Sequence, residues 1–192
     1  AVAGARRPGS DAEYYVFHID ASGSAYYSIV DMAAFGNSTF PAPATGDIDP
    51  ARKNVLLPGI PNRSEAMIVI QHDNGEDFWL ITRENGAPNY SASLFNSTTI
   101  GPFSTNNATL GLIDRAANFS YHATTGRMAV SPQEPNRDIE IFNFDAAAGL
   151  FTYNQRILNT AVSGAGTQAV FDTEWSNNGQ YLYISRHGAA GV

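Results

Sequence analysis

The chain has 192 residues, a formal net charge of −7 and no cysteine. An acidic balance argues against binding to a phosphate backbone, which needs clustered Lys and Arg. Lys53 is the one lysine, so a polybasic membrane patch is excluded as well. The lack of cysteine excludes disulfide scaffolds, thiolate metal sites and cysteine nucleophiles. No apolar run approaches the roughly 20 residues that span a bilayer.

Four segments of the chain share one pattern: an apolar-rich strand, a polar turn that ends in Gly, and a second strand rich in aromatic residues. Taken in chain order, they lie at 13–30, 65–82, 117–131 and 169–185. The residues before the first hairpin, 1–12, lack apolar alternation. We therefore predict a flexible N-terminal segment followed by a repeated hairpin.

The turn glycines of these hairpins are Gly23, Gly75, Gly126 and Gly179, and their spacings are 52, 51 and 53 residues. A short hairpin turn needs a positive φ angle, which glycine adopts at no steric cost. Regular spacing of similar hairpins indicates an internal repeat. We expect all four turns to lie on the same side of the fold.

A second hairpin follows the first in the middle repeats, where 90–95, 138–144 and 150–158 read as further strands. Four strands in about 52 residues is the size of one β-propeller blade. The predicted fold is all-β, with about three and a half four-stranded antiparallel blades of a six- to seven-bladed ring. The units are expected at 13–64, 65–115, 116–168 and, truncated, 169–192.

Two further features fit an all-β fold. Residues 32–53 carry three prolines among Gly, Asn, Ser and Thr, which indicates a long loop and not a strand pair. No amphipathic helix of three turns is found, so a βαβ architecture is not expected. The residues predicted to point inward are Val16, Ile29, Ile68, Ile70, Leu80, Met128, Val130, Leu182 and Ile184.

The hairpin 170–185, with Glu-Trp-Ser-Asn-Asn-Gly-Gln-Tyr-Leu-Tyr-Ile-Ser, resembles the WD40-like blade motif. Other stretches resemble large surface proteins of Bacteroidetes that carry a gliding-motility-associated C-terminal sorting domain or PKD domains. These stretches are 27–32, 52–57, 72–82, 128–132 and 139–145. The resemblance implies an extracellular, non-enzymatic propeller, and it supplies no catalytic residue.

No candidate metal or catalytic set stands out in the sequence. His18, His72, His122 and His187 lack the spacing of a zinc site, and the first three fall just before turn glycines, which favours a structural role. Asp47, Asp49, Asp73 and Asp77 could hold calcium through hard oxygen ligands, but Asp also forms ordinary turns. We expect no cofactor, no metal and no catalytic residue, and no loss of thermal stability on adding EDTA.

The sequence leaves two functions open. The first is a secreted or cell-surface binding, adhesion or scaffold module that is not an enzyme and that takes a protein or glycan ligand through its loops. The second is a propeller-fold carbohydrate-active enzyme, a glycosidase or lyase, whose active-site residues lie partly outside this chain. Aromatic residues that could stack on sugars or pack between blades are Tyr14, Tyr15, Tyr26, Tyr27, Phe78, Trp79, Tyr181 and Tyr183.

An arc of three to four blades would leave apolar faces bare on its first and last sheets, which soluble monomers rarely do. We therefore expect partners for these faces. Either further blades of the same protein or a second chain would close the ring.

Overall fold

The computed structural model describes residues 1–36, 43–57, 59, 62–87, 89–107, 117–133, 137–158 and 169–186. These residues form four antiparallel sheets, in which most strands pair with the next strand of the chain. A single turn of 3-10 helix, Pro50–Arg52, is the one helical element among them. The prediction of an all-β fold with antiparallel sheets is confirmed. No helix in the described ranges is long and apolar enough to cross a lipid bilayer.

The strands follow one another up and down within each sheet. The first sheet contains β1 (Val2–Arg6), β2 (Glu13–Ile19), β3 (Ala25–Asp31), β4 (Asp47–Ile48) and β5 (Val55–Leu56), with β4 and β5 both paired to β3. The second contains β6 (Arg63–Gln71), β7 (Phe78–Glu84), β8 (Asn89–Phe95) and β9 (Ile100–Asn107). The third contains β10 (Asn118–His122), β11 (Arg127–Ser131), β12 (Ile139–Asp145) and β13 (Leu150–Ile157). The fourth has two described strands, β14 (Val170–Trp175) and β15 (Leu182–Arg186).

The four sheets stack face to face in chain order. Strand β6 contacts β1 on one side and β10 on the other, and β10 also contacts β14. The first strand of each sheet therefore lies beside the first strand of the next. Because successive side chains of a strand point to opposite faces, the second and third sheets each bury side chains on both faces.

Apolar side chains fill the space between each pair of sheets. Tyr15 and Phe17 of the first sheet pack against Phe78, Leu80 and Phe95 of the second. The opposite face of the second sheet packs on the third through Ile70, Trp79, Ile81, Tyr90, Met128, Val130, Phe142 and Phe144. The third and fourth sheets share a smaller core of Ala129, Ile139, Ile141, Val170, Trp175, Leu182 and Ile184.

Three of the predicted turn glycines lie on one side of the stack, which we call the lower rim. Gly75, Gly126 and Gly179 each join the first two strands of a sheet and have φ angles of 77°, 65° and 66°. The imidazole Nε2 of His122 lies 3.1 Å from the carbonyl oxygen of Asn177, which joins two of these turns. The turn between β12 and β13 lies there too, because Trp79 Nε1 donates to Ala146 O at 2.8 Å.

The expectation that all four turns share one side is wrong for Gly23. Gly23 joins β2 to β3, and its carbonyl oxygen accepts a hydrogen bond from the backbone N–H of Arg63, the first residue of β6. Gly75 follows the other end of β6, so Gly23 lies on the opposite side, the upper rim. The turn between the first two strands of the first sheet instead contains Gly9, with a φ angle of 74°.

The N-terminal part of the chain also differs from expectation. Residues 1–12, predicted to be flexible, contain β1, which pairs along its length with β2. The first sheet therefore begins at Val2 and not at Glu13. The predicted loop 32–53 contains the short strand β4 as well as the 3-10 turn, and its residues 37–42 lie outside the described residues. Val16 points away from the core between the first and second sheets, because Tyr15 and Phe17 face that core.

Alanine substitutions at two turn glycines test the contact between sheets. Gly75 and Gly149 both have positive φ, but a Cβ at Gly75 meets nothing within 4 Å, whereas one at Gly149 lies 2.6 Å from the Trp79 ring. Backbone strain alone costs Gly75→Ala about 1–2 kcal/mol of unfolding free energy. Gly149→Ala adds overpacking of roughly 1–3 kcal/mol. Urea unfolding followed by circular dichroism measures both, and equal losses would contradict the packing of Trp79 on this turn.

Candidate functional site

A buried polar cluster lies between the second and third sheets near the upper rim. Arg83 of β7, Tyr90 of β8 and Glu140 of β12 all have less than 5% of their surface exposed. The Tyr90 hydroxyl donates to Glu140 Oε2 at 2.7 Å. The Arg83 guanidinium carbon lies 5.6 Å from the centroid of the Tyr90 ring, a cation–π distance. The apolar core between these two sheets therefore ends in a charged and hydrogen-bonded layer.

The acid of this cluster titrates near neutrality. Burial raises the pKa of Glu140 to about 7, although the hydrogen bond from Tyr90 and the charge of Arg83 act in the opposite direction. Burial, together with the Glu140 charge, also raises the pKa of Tyr90. Glu140 is therefore a carboxyl group that changes charge between pH 6 and 8, inside a protein core.

More polar contacts follow the upper rim toward the first sheet. Arg63 Nη1 donates to Ser91 Oγ at 3.0 Å, and Asn89 Nδ2 donates to Glu84 Oε2 at 2.7 Å. Burial lowers the pKa of the Arg63 guanidinium. These contacts lie at the ends of β6 and β7 and the start of β8. They hold the strand ends together.

A groove lies at the lower rim, between the first and second sheets. Its volume is about 690 Å³, within the range of small-molecule sites. One wall is β1 and the turn after it, where the small residues Gly4, Ala5, Pro8, Gly9 and Ser10 lie beside the charged Arg6, Arg7 and Asp11. The small side chains leave space in front of β6 and β7.

The other wall of the groove combines apolar and polar side chains. Val69 and Phe78 supply apolar surface, and Gln71, Glu76 and Asp77 supply polar groups. Asn74 Nδ2 donates to Asp77 Oδ2 at 2.9 Å, and Asn74 Oδ1 accepts from the Asp77 backbone N–H at 3.0 Å. The Asp77 carboxylate is thus held in place by its own turn.

Charged groups of both signs line the groove. Arg6 forms an ion pair with Asp11, and both side chains are largely exposed to solvent. Arg7 pairs with Glu13, whose pKa is lowered by hydrogen bonds from Arg52 and Arg7. The lining therefore offers one exposed guanidinium, one amide and the three carboxylates Asp11, Glu76 and Asp77.

The groove and the acid with the raised pKa are not one site. Glu140 lies near the start of β12, at the upper rim, whereas the groove opens at the lower rim beside Gly75. Glu140 is 4% exposed and its carboxylate already accepts from Tyr90. A ligand has room in the groove, whereas the Glu140 carboxylate is buried and already hydrogen-bonded, so the groove is the stronger candidate site.

The three described histidines stay apart, and each contacts a residue of its own hairpin. His18 stacks on Tyr26 with ring centroids 5.2 Å apart, and His72 stacks on Trp79 at 5.7 Å. His122 Nδ1 lies 3.0 Å from Thr125 Oγ1. These contacts fit the structural role expected from the sequence. His187 lies outside the described residues.

The aspartates considered for calcium serve mostly as turn and strand ends. Asp49 caps the 3-10 turn by accepting from the Ala51 N–H and pairs with Arg52, and Asp47 accepts from the Ile48 N–H. In the parts of the chain that the structure describes, no group of three or more His, Cys, Asp or Glu side chains could hold a metal ion. Of the four aspartates, Asp77 alone is among the groove-lining residues.

The sequence predicted neither the buried acid Glu140 nor the groove at the lower rim. Glu140 is a charged residue between Ile139 and Ile141 in an apolar strand, and such an interruption is a signal of a paired or titratable buried group. The groove left no comparable signal, because its two walls come from residues 4–11 and 69–78, which are distant in sequence.

Comparisons with known proteins give one structural likeness. No protein-family model matches the chain, and no curated protein matches it. The chain is similar to a crystal structure from Bacteroides fragilis NCTC 9343, described as a candidate 6-phosphogluconolactonase, with 16% sequence identity and a TM-score of 0.49. The match covers 94% of this chain and 51% of that one, so the chain spans about half the length of the structure it matches.

This comparison corrects one expectation from the sequence. We expected the protein not to be an enzyme, and that expectation is contradicted because the matched protein is described as an enzyme. The resemblance to Bacteroidetes surface proteins, which implied the non-enzymatic role, stays a prediction.

The pH dependence of stability tests the titration of Glu140. Its pKa is about 7 in the folded protein against 4.5 ordinarily, so the folded state holds a proton that the unfolded state releases between these values. The contribution of Glu140 to the free energy of unfolding is therefore greatest below pH 4.5. On the order of 3 kcal/mol of this free energy is lost by pH 7. In Glu140→Gln this loss is absent, because the amide does not titrate.

Urea unfolding from pH 4.5 to 8 measures the free energy of unfolding of the original protein and of Glu140→Gln. The other carboxylates contribute equally to both, so their effect cancels in the difference. The exposed Glu65 supplies the control Glu65→Gln, which should keep the profile of the original protein. If the difference in unfolding free energy between Glu140→Gln and the original protein did not change with pH, a raised pKa of Glu140 would be contradicted.

Chelation tests the expected lack of a structural metal. We expect EDTA to leave the melting temperature unchanged, since a metal bound only to the folded state would stabilise it by mass action. A fall of several degrees that calcium reverses would show that aspartates such as Asp47, Asp49, Asp73 or Asp77 bind this ion.

Proposed function

We propose that the four sheets are consecutive blades of a β-propeller. Three observations support this. The sheets are antiparallel with mostly sequential pairing, the first strands lie side by side, and the lower-rim turns at Gly75, Gly126 and Gly179 recur after 51 and 53 residues. Stacked sheets joined in this way are the arrangement of propeller blades around a central axis.

We propose further that the protein is a propeller-fold carbohydrate-active enzyme, a glycosidase or lyase, with its substrate in the lower-rim groove. The observation that carries the proposal is the lining of this groove. A guanidinium, an amide and three carboxylates surround an apolar patch in about 690 Å³. Sugars present many hydroxyl groups around apolar C–H faces, so this mixture of donors, acceptors and apolar surface fits them.

Asp77 is the residue that we assign to proton transfer or nucleophilic attack. Of the three carboxylates that line the groove, it is the one that is partly buried and held by a side-chain amide, that of Asn74. A fixed carboxylate is what general base or nucleophilic catalysis on a glycosidic bond needs. Further active-site residues would come from outside the described residues.

The charges of the groove favour an uncharged sugar over a phosphorylated one. Asp11, Glu76 and Asp77 line it together with Arg6 and Arg7, and Arg7 is already paired with Glu13. A phosphate group would meet three like charges and one exposed guanidinium that has its own partner. We therefore expect neutral mono- and disaccharides to bind better than their phosphate esters.

Titration calorimetry and a reducing-end assay with a panel of neutral sugars test this function. Arg6→Gln should weaken sugar binding about 10-fold, because it removes a charged hydrogen-bond donor. Asp77→Asn should lower kcat at least 100-fold with binding changed only a few-fold, because the amide keeps the shape but not the charge.

The control is Glu65→Gln on β6, an exposed carboxylate outside the groove. It should leave both binding and turnover as they are. Turnover by Asp77→Asn equal to that of the original protein, or no binding of any sugar at millimolar concentration, would contradict the proposal.

Secretion, a cell-surface location and a protein or glycan partner stay predictions. No comparison bears on the adhesion role that the sequence suggested. Sugar binding in the groove is compatible with any of these locations.

A further inference from the structure

Three Asn-Gly pairs occur in the chain, and each lies in a turn between two strands: Asn74-Gly75, Asn85-Gly86 and Asn178-Gly179. Asn is a thermolabile residue, because the backbone nitrogen of the next residue can attack its side-chain amide. A glycine in that next position has no Cβ to block the approach. The local sequence therefore makes all three pairs reactive, and the fold decides which of them reacts.

Asn74 and Gly75 are held against this reaction. Asn74 Nδ2 donates to Asp77 Oδ2 at 2.9 Å, and Asn74 Oδ1 accepts from the backbone N–H groups of Glu76 and Asp77, both at 3.0 Å. The Gly75 N–H must lose its proton before its nitrogen can attack, and it donates to His72 O at 2.9 Å. The reaction at this pair therefore requires these hydrogen bonds to break first.

Asn178 and Gly179 are held in the same way. Asn178 Nδ2 donates to Gln180 Oε1 at 3.1 Å, and Asn178 Oδ1 accepts from Ser176 Oγ at 2.8 Å and from the Gln180 N–H at 3.1 Å. The Gly179 N–H donates to Ser176 O at 2.8 Å. Both the amide that would be attacked and the nitrogen that would attack it are thus bonded in the folded protein.

Asn85 and Gly86 differ at both points. Asn85 Oδ1 is buried and accepts no hydrogen bond in the described part of the chain, and the Gly86 N–H donates none there. Asn62 Nδ2 instead donates to the Asn85 carbonyl oxygen at 3.1 Å, and this oxygen belongs to the same peptide group as the Gly86 N–H. A hydrogen bond to the oxygen polarises the peptide and makes its N–H more acidic. The bond from Asn62 therefore favours the attack that the bonds at the other two pairs oppose.

We infer that Asn85-Gly86 is a modification site, at which the folded protein deamidates spontaneously before the other two pairs react. The Gly86 nitrogen gives its proton to hydroxide and bonds to Asn85 Cγ, and the Cγ–Nδ2 bond breaks. Nδ2 takes protons from water and leaves as ammonia, which regenerates hydroxide and leaves a cyclic succinimide. Water then opens one of the two C–N bonds of this ring. The product is aspartate, or isoaspartate with its backbone running through Cγ, and no oxidation or reduction occurs.

The modification changes a contact of the upper rim. In addition to the bond from Asn62 Nδ2, the Asn85 N–H donates to Asn62 O at 2.8 Å. These two bonds tie the residue before β6 to the turn between β7 and β8. Isoaspartate lengthens the backbone of this turn by a methylene group and adds a carboxylate next to Glu84 in sequence. The modified protein should therefore unfold at a lower urea concentration than the original protein.

The test is incubation of the 192-residue chain at mildly alkaline pH, followed by peptide mapping with chromatography and mass spectrometry. These methods together resolve asparagine, aspartate and isoaspartate at each pair. In the folded protein, Asn85 should react at least about 10-fold faster than Asn74 or Asn178, because hydrogen bonds must break at those two pairs first. In concentrated urea the three rates should be similar, because the protecting bonds are lost.

The matched variant is Gly86→Ala, which keeps Asn85 but adds a side chain to the attacking residue. A Cβ at Gly86 meets nothing within 4 Å, and circular dichroism checks that the variant folds. The reaction at Asn85 should slow at least about 10-fold, because the Cβ hinders the attack. Equal rates at the three pairs in the folded protein would overturn the inference. A preference for Asn85 that persists in urea, or an unchanged rate in Gly86→Ala, would overturn it as well.

Discussion

The fold depends on sheets whose two faces are both apolar. In β7 every residue from Phe78 to Arg83 is buried, and alternation sends half of these side chains to each side. Such a strand is stable only between two other sheets. Leu80 faces the aromatic cluster of the first sheet and Ile81 faces the third, so the middle of the stack forms only when its neighbours do. At roughly 25 cal/mol per Å² of buried apolar surface, these shared faces are the main favourable term.

The buried charged side chains, in contrast, lie near the upper rim: Arg63, Arg83 and Glu140. Arg83, Tyr90 and Glu140 close the upper end of one apolar layer, and burial within it is what moves the pKa of Glu140. At the lower rim, the small residues of β1 and its turn fail to fill the layer between the first and second sheets. The space that remains is the groove with Asp77. One packing rule thus produces both a titrating core residue and a place for a ligand.

Local signals predicted much of this fold. The strands expected at 90–95, 138–144 and 150–158 are β8, β12 and β13, because alternation and turn glycines depend only on neighbours in sequence. The register of the first repeat was not predictable in this way. The hairpin around Gly23 looks like the one around Gly75, yet it joins the second and third strands of its sheet. Only the pairing of β1 with β2 reveals the difference. The groove also escaped prediction, because it depends on contacts between distant segments.

Native-state hydrogen exchange tests most directly whether the sheets form one structure through their shared faces. Amides of β2, β7 and β12, which lie in three different sheets, should exchange with the same free energy, equal to that of global unfolding. The short strands β4 and β5, with few buried side chains, should exchange faster. Distinct opening free energies for the three sheets, each well below global unfolding, would show that they fold separately and would contradict the account.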